Sequence, residues 1–139
     1  MSTPSPVSRV VIVTKWFPPE HAPFGVMMDE LAVSLAHRGH AVTVITGNPT
    51  HPSGVLPPGF DNRLVATARN AHGVEIVRVG SPARALEKRD TPPSLAFRLL
   101  GFASFSLLAM FQVLRRARGA IVFAVLQPLV IGPLLLAAA

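Results

Sequence analysis

Residues 9–60 read RVVIVTKWFPPEHAPFGVMMDELAVSLAHRGHAVTVITGNPTHPSGVLPPGF. The opening run, residues 10–14, is rich in β-branched residues and shows no polar alternation, the pattern of a strand buried on both faces. Pro18 and Pro19 stop it, because proline donates no backbone N–H and restricts the residue before it. Met27, Met28, Leu31, Ala32, Leu35 and Ala36 then recur at helical spacing and predict an amphipathic helix over residues 24–38. Asp29 and Glu30 stand in its early turns, where the helix dipole favours acids. Arg38-Gly39-His40 reads as a helix stop, and residues 42–46 as a second buried strand. The whole is a βαβ unit with a long, proline-shaped loop after each strand. Ligands of open α/β sheets bind beyond the carboxyl ends of the strands, so both loops stand where a site is built.

Working outward, residues 64–69 and 74–79 predict two short strands around the turn Asn70-Ala71-His72-Gly73. Arg63, Arg69, Glu75 and Arg78 suggest that this hairpin has one solvated face. Residues 81–93 form a polar connection without periodicity, and an apolar helix follows over residues 94–114. Residues 120–126 predict a short buried strand, with a proline-started helix after it. The expected fold class is α/β, Rossmann-like, with a mostly parallel sheet and flanking helices.

The 139 residues suit one domain at residues 9–139, behind a short polar tail at 1–8 that lacks the apolar core of a secretory signal. There is no cysteine, which excludes a disulfide framework and thiolate chemistry. The five histidines show no metal-ligand spacing, and no metal is expected from that pattern. Residues 1–77 carry five bases and five acids, whereas residues 78–118 carry eight bases and two acids, so the whole surplus of +6 lies in the second segment. Bases around an apolar helix attract anionic lipid head groups at about 1 kcal/mol each. An anionic membrane surface is therefore an expected partner of residues 78–118. Nucleic acid is not, because tyrosine is absent, tryptophan occurs once, and the bases are not interleaved with aromatics. Residues 99–114 and 119–139 are uncharged runs of 16 and 21 residues, which leaves core and membrane-embedded readings both open.

Three motifs in order resemble a known family: FPPE at residues 17–20, ELAVSLAHRGHAVTVIT at 30–46 and NPTHPSGVLPPGF at 48–60. Together they are similar to the N-terminal domain of GT-B-fold glycosyltransferases, nearest the family-4 retaining type of bacterial polysaccharide synthesis. The resemblance covers residues 8–139 and is strongest to about residue 80. It departs at Pro23-Phe24-Gly25, where the family has a glycine pair, and at Leu126-Gln127-Pro128, where the family has a Ser-Pro-Pro turn. It implies an acceptor-side domain, incomplete at its C-terminus, whose donor-binding second domain is absent from these residues. That implies a chain inactive alone, a separate C-terminal half as a partner, a saccharide or lipid-linked acceptor, and a nucleotide-sugar as co-substrate rather than any cofactor. Residence is expected to be cytoplasmic, peripheral on the inner face of the plasma membrane. The competing reading is a non-catalytic membrane-associated binding or structural protein.

No catalytic residue is assignable, since there is no nucleophile elbow, phosphate loop or spaced carboxylate pair. The substrate-binding candidates are Glu20, His21 and Gly25 in the first loop and Asn48, His51, Ser53 and Gly54 in the second. Glu20 can accept from a hydroxyl or cap the following helix, and Gly25 can admit a ligand to a helix N-terminus. Lys15, just past the first strand, is a candidate contact for a diphosphate.

Overall fold

The computed structural model of the chain describes residues 8–50, 56–81 and 94–125. Strands β1 (Arg9–Val13), β2 (Ala41–Gly47), β3 (Val65–Arg69), β4 (Glu75–Val79) and β5 (Ala120–Ala124) form one sheet in the order β3-β4-β2-β1-β5. Every pairing is parallel except the β3–β4 hairpin. Helix α1 (Pro23–His37) joins β1 to β2, and α2 (Leu95–Arg116) lies between β4 and β5. The fold is α/β with a five-stranded, mostly parallel sheet and two helices, as expected.

The largely apolar make-up of β1 and β2 follows from this layering. Val10, Ile12, Val42 and Val44 pack with Met28 and Ala32 of α1 on one face. Val11, Val13 and Ile45 pack with Phe105, Ala109 and Val113 of α2 on the other. A central parallel strand has no solvent face on which to place a polar residue. Phe17 and Phe105 are the largest fully buried side chains, one in each layer, and truncating either to alanine removes about 3–5 kcal/mol.

The ends of α1 are built from local chemistry. Pro23 occupies its first turn, where a missing N–H costs nothing. Gly39 has φ +87° and accommodates the left-handed exit, with His40 N–H donating to the Leu35 carbonyl at 3.1 Å. Asp29 and Glu30 fall in the second turn; the first turn holds no acid, so the dipole gains little from them. Met27, expected on the buried stripe, is exposed, because it lies about 100° around the helix from the buried Met28.

Two other expectations are corrected. Arg78 belongs to no solvated face: it is 9% exposed, because β4 is an internal strand between β2 and β3. Nor is β5 buried. It is an edge strand, and Ile121, Val122 and Phe123 remain substantially exposed among the described residues. The part of the second apolar run beyond Val125 lies outside the described residues, as does the connection 82–93.

The hairpin is closed by a side chain. Asn62 Nδ2 donates to the Ser81 carbonyl at 3.0 Å, and its Oδ1 accepts from the Ser81 N–H at 3.1 Å. Between them Gly80 N–H donates to the Leu64 carbonyl at 3.0 Å. A Cβ at Gly80 would stand 2.2 Å from the Arg63 carbonyl oxygen, a backbone atom that cannot move alone. Gly80→Ala is expected to lower stability by about 1–3 kcal/mol in urea unfolding. An unchanged midpoint would show that the two backbones do not approach so closely.

Candidate functional site

The carboxyl ends of β1, β2 and β4 lie side by side, and each delivers one polar group to the same place. After β1, Lys15 runs across Gly47, where a Cβ would meet its Nζ at 2.6 Å, so the glycine is what lets the lysine pass. Its ammonium stands 4.7 Å from the centre of the Phe105 ring, a cation–π contact with α2. After β2, Asn48 is buried and its Nδ2 donates to the Asp61 carbonyl at 3.4 Å. After β4, Ser81 Oγ is 3.3 Å from Ser104 Oγ of α2. Lys15, Asn48, Thr50, Asn62, Ser81 and Phe105 line a cavity of about 30 Å³. That volume takes one water-sized group, such as a hydroxyl, and not a sugar ring.

Beneath it Arg78 ties the loops together. Its Nη1 donates to the Gly47 carbonyl at 3.0 Å and its Nη2 donates to the Pro18 carbonyl. The Phe60 ring lies 5.2 Å from the guanidinium carbon. One planar fork therefore grips the loop after β1 and the end of β2, and stacks on a residue of the stretch after residue 55. Burial holds the Arg78 guanidinium below its ordinary pKa, a lowering that the negative charge of Glu20 offsets only in part. An arginine so placed remains charged.

Glu20 is the acidic counterpart. It is buried, and its Oε1 accepts from the Thr50 N–H at 2.7 Å, joining the first loop to the second. It does not cap α1, whose N-cap is Ala22 without a side-chain hydrogen bond. Gly25 is also buried, and a Cβ there would lie 3.2 Å from the Trp16 carbonyl carbon and oxygen. Its job in this geometry is to let the first turn of α1 seat against the loop. The Pro18–Pro19 peptide bond within that loop is cis. His21 is exposed. His51, Ser53 and Gly54 lie outside the described residues.

The structure thus brings Lys15, Glu20 and Asn48 to one edge and adds Thr50, Asn62, Arg78 and Ser81, which sequence reasoning passed over. Arg78 carried a signal of a kind: a lone arginine between Val77 and Val79 in a strand flanked by apolar residues. Among the described residues no cluster of three or more His, Cys, Asp or Glu is arranged to hold a metal ion.

Removing the fork should loosen both loops together. Arg78→Met is expected to cost about 3–5 kcal/mol, because two carbonyls and the Glu20 charge lose their cation inside the protein. Glu20→Gln keeps an acceptor for Thr50 and should cost distinctly less. Amide hydrogen exchange at Thr50 provides the second reading: faster in Arg78→Met, little changed in Glu20→Gln. Equal, small effects of both variants would mean that the buried charges do not organise the edge.

Comparison of the chain with family models, with curated proteins and with solved structures returned no match.

Proposed function

We propose that this chain is the acceptor-side half of a GT-B-fold glycosyltransferase, acting on a saccharide or lipid-linked acceptor. The observation that carries the reading is the convergence of Lys15, Asn48, Thr50, Asn62 and Ser81 at the carboxyl edge of the sheet. Those groups stand on or beside the same loops that hold the FPPE and NPTHPSGVLPPGF motifs. Amide and hydroxyl groups on a rigid edge suit the recognition of sugar hydroxyls, and one of these fits the small cavity. Lys15 supplies a positive charge for a diphosphate. A second domain would present the nucleotide-sugar. The acceptor hydroxyl oxygen would bond to the anomeric carbon as the nucleoside diphosphate leaves it, and the hydroxyl proton would pass to the departing phosphate oxygen. In this division the chain alone binds acceptor and is inactive.

The test is a titration of the isotopically labelled chain, followed by NMR, with UDP- and GDP-sugars and with a short-chain polyprenyl diphosphate-linked sugar. The lipid-linked sugar should shift the amides of Lys15, Asn48, Thr50 and Ser81, and the nucleotide-sugars should not. Asn48→Ala should weaken acceptor binding roughly tenfold, the equivalent of one net hydrogen bond. Tight nucleotide-sugar binding at this edge would place the donor site here and overturn the division. No response to any acceptor would remove the carbohydrate reading.

A membrane-surface role, proposed alongside, rests on α2. This helix has 22 residues, is about 33 Å long, and is apolar enough to cross a bilayer by length and composition. One stripe packs on the sheet through Phe105, Ala109 and Val113. The opposite stripe, Leu100, Leu107, Phe111 and Leu114, is exposed, with Arg115 exposed beside it and Arg118 exposed just past the end of the helix. Arg78 contributes nothing to that patch, being buried. The chain is expected to sediment with phosphatidylglycerol vesicles and not with phosphatidylcholine vesicles, and Leu107→Glu with Phe111→Glu should abolish this. Equal binding to both lipids, or to neither, would count against an anionic membrane as the partner.

A further inference from the structure

The far end of the sheet carries a second constellation. His37, in the last turn of α1, and His72, in the β3–β4 turn, are 35 residues apart in sequence. Their facing nitrogens, His37 Nε2 and His72 Nδ1, are 3.3 Å apart. The rings meet edge to face, with centroids 5.2 Å apart and planes at 71°. Both side chains are exposed, and both line an open groove of about 570 Å³ whose other walls include Asp29, Glu30, Ser34 and Arg38.

We propose that His37 and His72 are a zinc-binding pair that clamps the end of α1 to the β3–β4 turn. Two imidazole nitrogens, each about 2.0–2.1 Å from a tetrahedral zinc ion, stand about 3.3–3.4 Å apart. The observed separation matches that bite, and binding would turn each ring so that its lone pair points roughly 35° off the line joining the two nitrogens. In the metal-free pair one of the facing nitrogens carries a proton. A neutral imidazole holds its proton on either nitrogen. A tautomer shift in the donor ring therefore moves the proton to the outer nitrogen and leaves two lone pairs facing the ion, with no net proton released.

The turn is built to hold His72 in place. Asn70 Oδ1 accepts from the N–H groups of both His72 and Val74, each at 3.0 Å, and Arg69 Nη1 donates to the Gly73 carbonyl at 3.1 Å. His37 stands at a helix C-terminus, where the dipole favours a cation, although Arg38 beside it opposes one. Two imidazoles select a late first-row transition ion over magnesium or calcium, which require oxygen ligands. With two protein ligands, the remaining positions go to water, and the ion exchanges readily.

The pair exists only in the folded chain, so the ion acts as a ligand of the native state. At a metal concentration about 100 times Kd, the ratio of folded to unfolded chain should rise about 100-fold. The experiment is a thermal melt of the full chain with zinc chloride and, separately, magnesium chloride, together with His37→Gln and His72→Gln. Zinc should raise the midpoint of the wild type, magnesium should not, and each variant should lose the rise. The wild-type imidazole resonances of His37 and His72 should shift together at one equivalent of zinc, which decides the matter even if a variant fails to fold. No zinc effect on the wild type, or an equal rise in both variants, would overturn the proposal; the second result would place the ion on His21, His40 or His51.

Discussion

The geometry of the carboxyl edge depends on one buried guanidinium. Arg78 donates to the carbonyls of Pro18, in the loop after β1, and Gly47, at the end of β2, and rests against Phe60. A buried cation costs several kcal/mol unless its donors are satisfied and a counter-charge is near. Here backbone carbonyls satisfy the donors, and Glu20 supplies the charge while accepting from the Thr50 amide. Polar groups with so many simultaneous partners tolerate few alternative arrangements. Rigid loops are what a recognition edge requires, because side chains on loose loops bind at the expense of their own ordering.

The sheet separates two kinds of polar chemistry. At the carboxyl edge, charge is buried and spent on backbone groups. At the amino edge, it is half-exposed and joins elements. Arg9 donates to the carbonyls of Arg116, the last residue of α2, and of Arg118 just beyond it. Glu75 accepts from Thr43 Oγ1 at 2.9 Å and lies 3.9 Å from Arg116. The His37–His72 contact belongs to this second set. Exposed pairs of this sort add little to stability individually. Their consequence is to hold helix ends and the hairpin turn in register with the strands.

The two helices differ in the side chains they leave exposed. α1 buries a narrow stripe, Gly25, Met28 and Ala32, and turns polar side chains such as Glu30, Ser34 and Arg38 outward. α2 buries one stripe and leaves Leu100, Leu107, Phe111 and Leu114 exposed on the other. With Ile121 and Phe123 of the edge strand β5, this amounts to several large apolar side chains outside any core.

Much of the architecture was legible in the chain. Val10 to Val13 are apolar without alternation, and Val42, Val44 and Ile45 are interrupted by Thr43 alone, because both faces of those strands are covered, and that pattern is local. Gly39 marks the end of α1 because only the left-handed conformation closes the helix there. The loops after β1 and β2 fall at the carboxyl edge of the sheet because strand direction follows from the βαβ unit. Arg78 was misread because a charged residue in a short hairpin strand looks solvated until the strand is known to be internal, and pairing with β2 made it so. Ile121 and Phe123 erred the other way, since a strand's own residues do not say whether a neighbour covers it. Asn62, Ser81 and the two histidines gain their partners from residues 19 to 35 positions away. Periodicity and backbone stops act over a few residues, so the elements and the direction of the βαβ unit are written locally in the chain. Burial and hydrogen-bond partnership depend on the order in which distant strands pair, so the side chains that meet at the carboxyl edge, and the charge that lies buried there, follow from the fold as a whole.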